Sequence, residues 1–244
     1  MAEFTMQIAG YSARVTSLFE STPQYFRPYL TKEVPQFFFT VTREDIAFED
    51  RFLYEEALEE GFRIRKFTDP FLERAAIQRK FAEALFDHGI ILLHGSTIAL
   101  DGSAYLFTAR SGTGKSTHTR LWREAFGSRV VMINDDKPFL KFTPDGILAC
   151  GSPWSGKHGL DSNISAVLKG ICLLERGAEN QITPLAAEEI LPFLQKQCHI
   201  PADPGKLPRL LELLAELTQR VPLWRMTCTK ESQAAQVAYD AMHR

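Results

Sequence analysis

The chain has 244 residues, 45% of them apolar and 24% charged, enough to bury a substantial core without disulfide or metal staples. Its net charge of −2 gives no general pull towards nucleic acid or an anionic membrane, and neither partner is expected. The four cysteines (Cys150, Cys172, Cys198, Cys228) form no CxxC pair, so reduced, partly buried thiols in a cytoplasmic protein are expected.

The opening MAEFTMQIAGYSARV has no basic start followed by an apolar run, which argues against a secretory signal. Residues 1–67 read as short strands and turns. MQIAGYSARV and QFFFTVTR are rich in β-branched and aromatic residues, and Pro23, Pro28 and Pro35 punctuate the ground between them. A small N-terminal β-rich accessory domain is expected here, with a second domain over 68–244. Thr68 or Asp69 can cap a helix with Pro70 in its first turn, and Gly89 ends it. IILLHGSTIAL then reads as a strand, Asp101-Gly102 as a tight turn and SAYLFTA as the returning strand.

A helix is predicted over about 115–126, and RVVMIN reads as a strand that runs into two aspartates. PFLKFTPDGILACG reads as a hairpin around Pro144-Asp145-Gly146. SPWSGKHGLDSN reads as a polar loop and KGICLLER as a further strand. Two helical stretches, LAAEEILPFLQKQC and GKLPRLLELLAELTQR, precede a last strand, PLWRMTCT, and a last helix, ESQAAQVAYDAMHR. The leucines of LPRLLELLAEL have helical spacing and suit a core-facing or dimer-forming stripe, so a homo-oligomer is one expectation. The alternation of strands and helices points to an α/β fold with a mixed sheet.

Between SAYLFT and the helix from 115 lies Ala109-Arg110-Ser111-Gly112-Thr113-Gly114-Lys115-Ser116. It meets the phosphate-loop pattern, a glycine, four residues and Gly-Lys-Ser/Thr, at every position but the first. Gly112 and Gly114 let the backbone turn its N–H groups inward. Lys115 brings charge to the outer phosphates, and Ser116 can place a hydroxyl on Mg²⁺. The helix adds the positive end of its dipole. Ala109 is harmless if its backbone is ordinary and strained if that position needs a positive φ. The competing reading is a glycine turn that merely caps a helix.

Asp135 and Asp136 stand at the end of an apolar strand, twenty residues after Lys115. A strand-end acid beside a phosphate loop holds Mg²⁺, and a second acid can take the proton of an attacking hydroxyl. Asn-Asp-Asp is also good turn chemistry. In the polar loop, Trp154 can stack on a base or cover a substrate and Lys157 can meet a phosphate or an anionic acceptor, with His158 beside them; the competing reading is a surface loop with one anchoring Trp. Arg176, at the end of KGICLLER, can reach a phosphate or simply face solvent.

The run His94-Gly95, then SGTGKS, then Asp135-Asp136 resembles the catalytic domain of HPr kinase/phosphorylase, which has a PEP carboxykinase-like P-loop fold. The likeness covers about residues 90–180 well and leaves 1–67 uncovered. It implies an ATP- and Mg²⁺-dependent kinase that transfers the γ-phosphoryl group to a hydroxyl. Nucleotide binding would fall to Ser111, Gly112, Thr113, Gly114, Lys115, Ser116 and Thr117. Ser116 and Asp136 would hold Mg²⁺. Asp135 would be the general base, and His94 would orient or tune it. No counterpart is recognisable for the segment with which those kinases help bind their carrier protein. The acceptor is therefore left open among a protein or peptide serine and a small molecule. A nucleotide-binding regulator without transfer chemistry, a PEP-carboxykinase-type enzyme and a plain NTPase are the alternatives.

Overall fold

The computed structural model describes residues 1–59, 61 and 63–243. Contact density divides the chain into two compact units, Met1–Asp87 and His88–Arg244.

In the first unit, β1 (Ala2–Ile8) and β2 (Tyr11–Ser17) form an antiparallel hairpin, and β3 (Phe37–Thr40) lies parallel to β2. The two-residue turn puts Ala9 at φ 52° and Gly10 at φ 85°, the positive pair that matches the strands' twist. A short helix, α1 (Thr22–Tyr25), follows β2, and two long ones, α2 (Arg43–Glu59) and α3 (Asp69–Phe86), follow β3. Met6, Ile8, Val15, Phe26, Ile77, Phe81 and Leu85 are buried. Phe39 of β3 meets Phe81 of α3 edge-on, with ring centroids 5.0 Å apart.

Two features depart from the sequence reading. Residues 43–59 form a helix, where strands and turns were expected. Its start is fixed reciprocally: Thr42 N donates to Asp45 Oδ2 (3.0 Å) and Asp45 N donates to Thr42 Oγ1 (3.3 Å). Ion pairs rather than a broad apolar stripe tie α2 to α3. Arg79 meets Asp45 at 2.9 Å and Glu49 at 2.6 Å, and Lys80 meets Asp45 at 3.0 Å. The helix over 69–86 was expected to open the second domain. Instead α3 belongs to the first unit, where it packs on α2, β2 and β3, and the units divide after Asp87 rather than after residue 67.

The second unit is built on a nine-stranded mixed sheet. Its strands are β4 (Ile90–Leu92), β5 (Ser96–Leu100), β6 (Ser103–Thr108), β7 (Val130–Asn134), β8 (Phe139–Thr143), β9 (Gly146–Cys150), β10 (Ser165–Arg176), β11 (Gln181–Pro184) and β12 (Leu223–Cys228). The long β10 is its spine. One edge pairs with β6 in parallel; the other pairs first with antiparallel β9 and then with parallel β12. The helices are α4 (Lys115–Phe126), α5 (Ala187–Gln197), α6 (Leu207–Arg220) and α7 (Gln233–Met242).

Trp122 of α4 is fully buried and packs with Ile98, Tyr105, Phe107, Cys172, Met226 and Ala238 in one cluster shared by α4, α7 and the sheet. Helices α5 and α6 pack on each other, with α6 against β9. The four cysteines are all free. Among the described residues no helix is long and apolar enough to cross a membrane.

The run IILLHGSTIAL is two strands, not one. After β4 the backbone leaves β8, and Leu93, His94 and Gly95 bond instead to Pro138, Gln197 and Asp136. Gly95 permits this. A Cβ there would come within 3.1 Å of Leu106 Cδ2 and 3.2 Å of the Phe107 carbonyl oxygen. The break brings His94 beside the aspartate pair.

Candidate active site

Strand β6 runs into the glycine loop, and α4 leaves it. Gly112 (φ 75°) and Gly114 (φ 129°) hold backbone angles that L side chains avoid. The Thr113 amide closes the turn on the Arg110 carbonyl at 3.1 Å. Lys115 is buried, and its Nζ spans the loop to the Ala109 carbonyl oxygen at 3.2 Å. Ala109 itself is fully buried in the cluster around Trp122, and its φ is not positive. A methyl group therefore sits in the core where the pattern has glycine, and it causes no strain.

Strand β7 ends at Asn134, which is fully buried and organises the next turn and the polar loop together. Its Oδ1 accepts from the amides of Asp136 (2.7 Å) and Lys137 (2.5 Å). Its Nδ2 donates to Ser152 O (2.7 Å), Ser152 Oγ (3.0 Å) and Trp154 O (3.3 Å). The two aspartates after it have different surroundings. Asp135 is buried, and its Oδ1 accepts from Ser96 Oγ at 2.6 Å. Ser96 Oγ also meets Thr119 Oγ1 at 3.0 Å, on the face of α4 one turn after Lys115 and Ser116. Asp136 keeps a third of its side chain exposed, and its Oδ1 lies 3.1 Å from His94 Nε2.

The charges of this group act on one another. Burial pushes the Asp136 carboxyl up, but the His94 hydrogen bond and the charges of Lys137 and Lys115 outweigh it and leave the group below the usual carboxylate range. Burial, reinforced by Lys137 and Lys115, pulls His94 below its ordinary value against the pull of Asp136. The contact requires a proton on Nε2, which a neutral His94 carries as its Nε2–H tautomer. Burial also lowers Lys115, while Asp136 and Asp135 oppose the shift. Lys115, His94 and the acid pair thus form one electrostatic unit.

The polar loop folds back on that unit. At Gly156 (φ +67°) a Cβ would stand 3.2 Å from Asp136 Cβ. At Gly151 it would stand 1.8 Å from the Ser162 carbonyl oxygen and 3.0 Å from that of Ile133, so only glycine fits between them. Lys157 and His158 are exposed on the turn that Gly156 begins. Of the two readings of Trp154, burial fits the anchor and not the stacking platform. It is 7% exposed, so its indole anchors the loop and offers no open platform for a base. Arg176 also differs in its contacts. Its Nη2 donates to Gly112 O at 2.6 Å and its Nε to Thr113 O at 3.4 Å, so the guanidinium is engaged with the loop backbone.

Ser111, Thr113, Ser116 and Thr117 are at least partly exposed along the loop and the first turn of α4. Among the described residues no three His, Cys, Asp or Glu side chains gather into a ready metal cage. The donors present are a serine hydroxyl and carboxylates. They fit an oxygen-seeking Mg²⁺ that takes its remaining ligands from phosphate and water.

Sequence reasoning missed Ser96, Thr119, Asn134, Gly151 and Gly156. The Asn-Asp-Asp turn signal pointed to Asn134. Nothing local pointed to the others, whose roles come from contacts across the sheet.

Neither a family model nor a curated protein matches the chain. Among solved structures, the Hpr(Ser) kinase/phosphatase from Coxiella burnetii is similar at 14% identity, over 62% of this chain and 96% of that one, with a TM-score of 0.29. A score that low leaves the function to be argued from the residues themselves.

Proposed function

We propose that this chain is an ATP- and Mg²⁺-dependent phosphotransferase that moves the terminal phosphoryl group to a hydroxyl, on a protein or peptide serine or on a small molecule. One observation carries the reading. A buried loop lysine, a strand-end acid pair and a histidine act on each other's charge beside a glycine loop that opens a helix.

In this reading the loop amides from Ser111 to Thr117, with Lys115, bind the phosphates. Mg²⁺ would be held by Ser116 and one aspartate, and it would neutralise charge on the phosphate oxygens. The family resemblance implies the metal at Asp136 and the base at Asp135. Exposure and contacts favour the reverse. Asp135 is buried, held by Ser96 and linked through Thr119 to α4 near Ser116. Asp136 is the acid that an incoming hydroxyl can reach, and the His94 Nε2–H holds its carboxylate in place.

The acceptor proton then passes to Asp136. The acceptor oxygen bonds to the γ-phosphorus, the bond to the bridging oxygen breaks, and ADP leaves with that electron pair. Lys157 and His158, exposed on the turn whose first residue, Gly156, lies against Asp136, are proposed as acceptor contacts. A cytoplasmic location and a homo-oligomer remain part of the proposal.

Comparing Asp135→Asn with Asp136→Asn tests these roles. Asp136→Asn should keep Mg²⁺-dependent ATP binding and lose turnover by about 10²-fold or more. Asp135→Asn should lose the Mg²⁺ dependence of ATP affinity, a readout separate from activity. The opposite pattern would restore the assignment that the family resemblance implies. Full turnover in both variants would refute the acid–base scheme.

A further inference from the structure

We infer that Arg176 is a positioning residue for the glycine loop: it clamps the loop from outside and presets its backbone for phosphate. The inference rests on the nucleotide reading above and goes beyond it by assigning the loop's geometry to a residue outside the motif.

The register of the sheet delivers the side chain. Strands β6 and β10 are parallel, with Leu173 beside Thr108. Three residues further along, β10 has reached Arg176 and β6 has turned into the glycine loop. The strand is pinned at that point. Arg176 pairs with Cys228 of β12, the Gly177 amide donates to the Cys228 carbonyl at 3.2 Å, and a Cβ at Gly177 would come within 2.8 Å of Thr227 Cβ. The arginine thus projects from a fixed backbone. Among the described residues no carboxylate pairs with it, and the neighbouring Glu175 is taken by Arg225 at 3.4 Å.

Both bonds from Arg176 go to carbonyls, Gly112 O and Thr113 O. A trans peptide points its C=O and N–H in opposite directions. Holding the Gly112 carbonyl keeps the Thr113 amide on the Arg110 carbonyl, which closes the turn. Holding the Thr113 carbonyl turns the Gly114 amide away from Arg176, at the residue just before Lys115. Gly112 and Gly114 give this segment more conformational freedom than any other residues would. A planar guanidinium bonding two successive carbonyls removes part of that freedom before any ligand arrives. The sequence reading of Arg176 as a direct phosphate contact is thereby replaced: the residue acts on the phosphates through the loop.

The test uses the full chain as wild type, Arg176→Ala and Arg176→Lys, with thermal melts to establish that all three are folded. Amide hydrogen exchange over residues 109–115, without nucleotide, should be several-fold faster in Arg176→Ala and intermediate in Arg176→Lys. Affinities for ATP and ADP should both fall, by about three- to tenfold in Arg176→Ala, the range expected for a net hydrogen-bond loss. Unchanged exchange beside intact wild-type binding refutes the clamp alone. Loss of ATP affinity with ADP unaffected refutes it in favour of a direct γ-phosphate contact. A wild type that binds neither nucleotide overturns the parent reading and with it the purpose of the clamp.

Discussion

Acid should destabilise the second unit through one buried histidine. His118, on α4, is 2% exposed. Its Nε2 accepts from Trp122 Nε1 at 3.1 Å, and among the described residues its Nδ1 has no partner. Burial pulls its pKa from 6.5 down to about 4. The folded state therefore binds the proton less tightly than the unfolded state. Stability is fully present above the unfolded value and is lost as pH falls from 6.5 through 4. Between pH 7.5 and 4.5 this shift removes roughly 2–3 kcal/mol.

The assay is urea unfolding followed by tryptophan fluorescence. All three tryptophans (Trp122, Trp154, Trp224) lie in the second unit, so the signal reports that unit alone. His118→Gln keeps an acceptor for Trp122 Nε1 and removes the titration. The wild type should lose roughly 2–3 kcal/mol relative to this variant over the interval. A wild-type-minus-variant difference that stays flat within about 0.5 kcal/mol would refute the reasoning.

Restoring the motif's first glycine should not help. Ala109→Gly removes a buried methyl and adds backbone freedom, so it should cost about 1 kcal/mol of stability without raising nucleotide affinity. Gly151→Ala would drive a Cβ into the Ser162 carbonyl, so the tryptophan-monitored unit should lose more than about 3 kcal/mol or fail to fold. The acid limb of turnover should lie below pH 6.5, because burial and two lysines hold His94 neutral. His94→Gln should abolish whatever part of that limb belongs to the histidine, as steady-state pH profiles would show.

The run from β6 through the glycine loop to α4 and β7 was legible because each signal is local: a strand period, two glycines, a lysine and a cluster of turn-forming acids. Helix α2 was not. Its buried residues include only Ile46 and Glu49, while Phe48, Phe52, Tyr54 and Leu58 remain exposed, so no apolar period marks its core face. Strand β11 has one apolar residue, Ile182, in four and ends in a proline, and its identity comes from pairing with β12.

The only local mark of the break at His94 is the interruption His94-Gly95-Ser96-Thr97 between two apolar runs, and the packing that accompanies it, Leu106 against Gly95, lies across the hairpin. The acids at 135 and 136 were readable as a pair. Which one is buried is decided by Ser96 and Thr119, distant in sequence and adjacent only in the fold. The division after Asp87 follows from the ion pairs of Arg79 and Lys80 with α2, which a residue-by-residue reading of α3 does not reveal.

Titration calorimetry with ATP and Mg²⁺ on wild type and Lys115→Ala tests the central claim most directly. Saturable binding by the wild type, weakened about tenfold or more in Lys115→Ala, is the predicted result for a lysine whose charge meets phosphate. No saturable binding by the wild type, or equal binding by both proteins, would contradict a phosphate site at this loop.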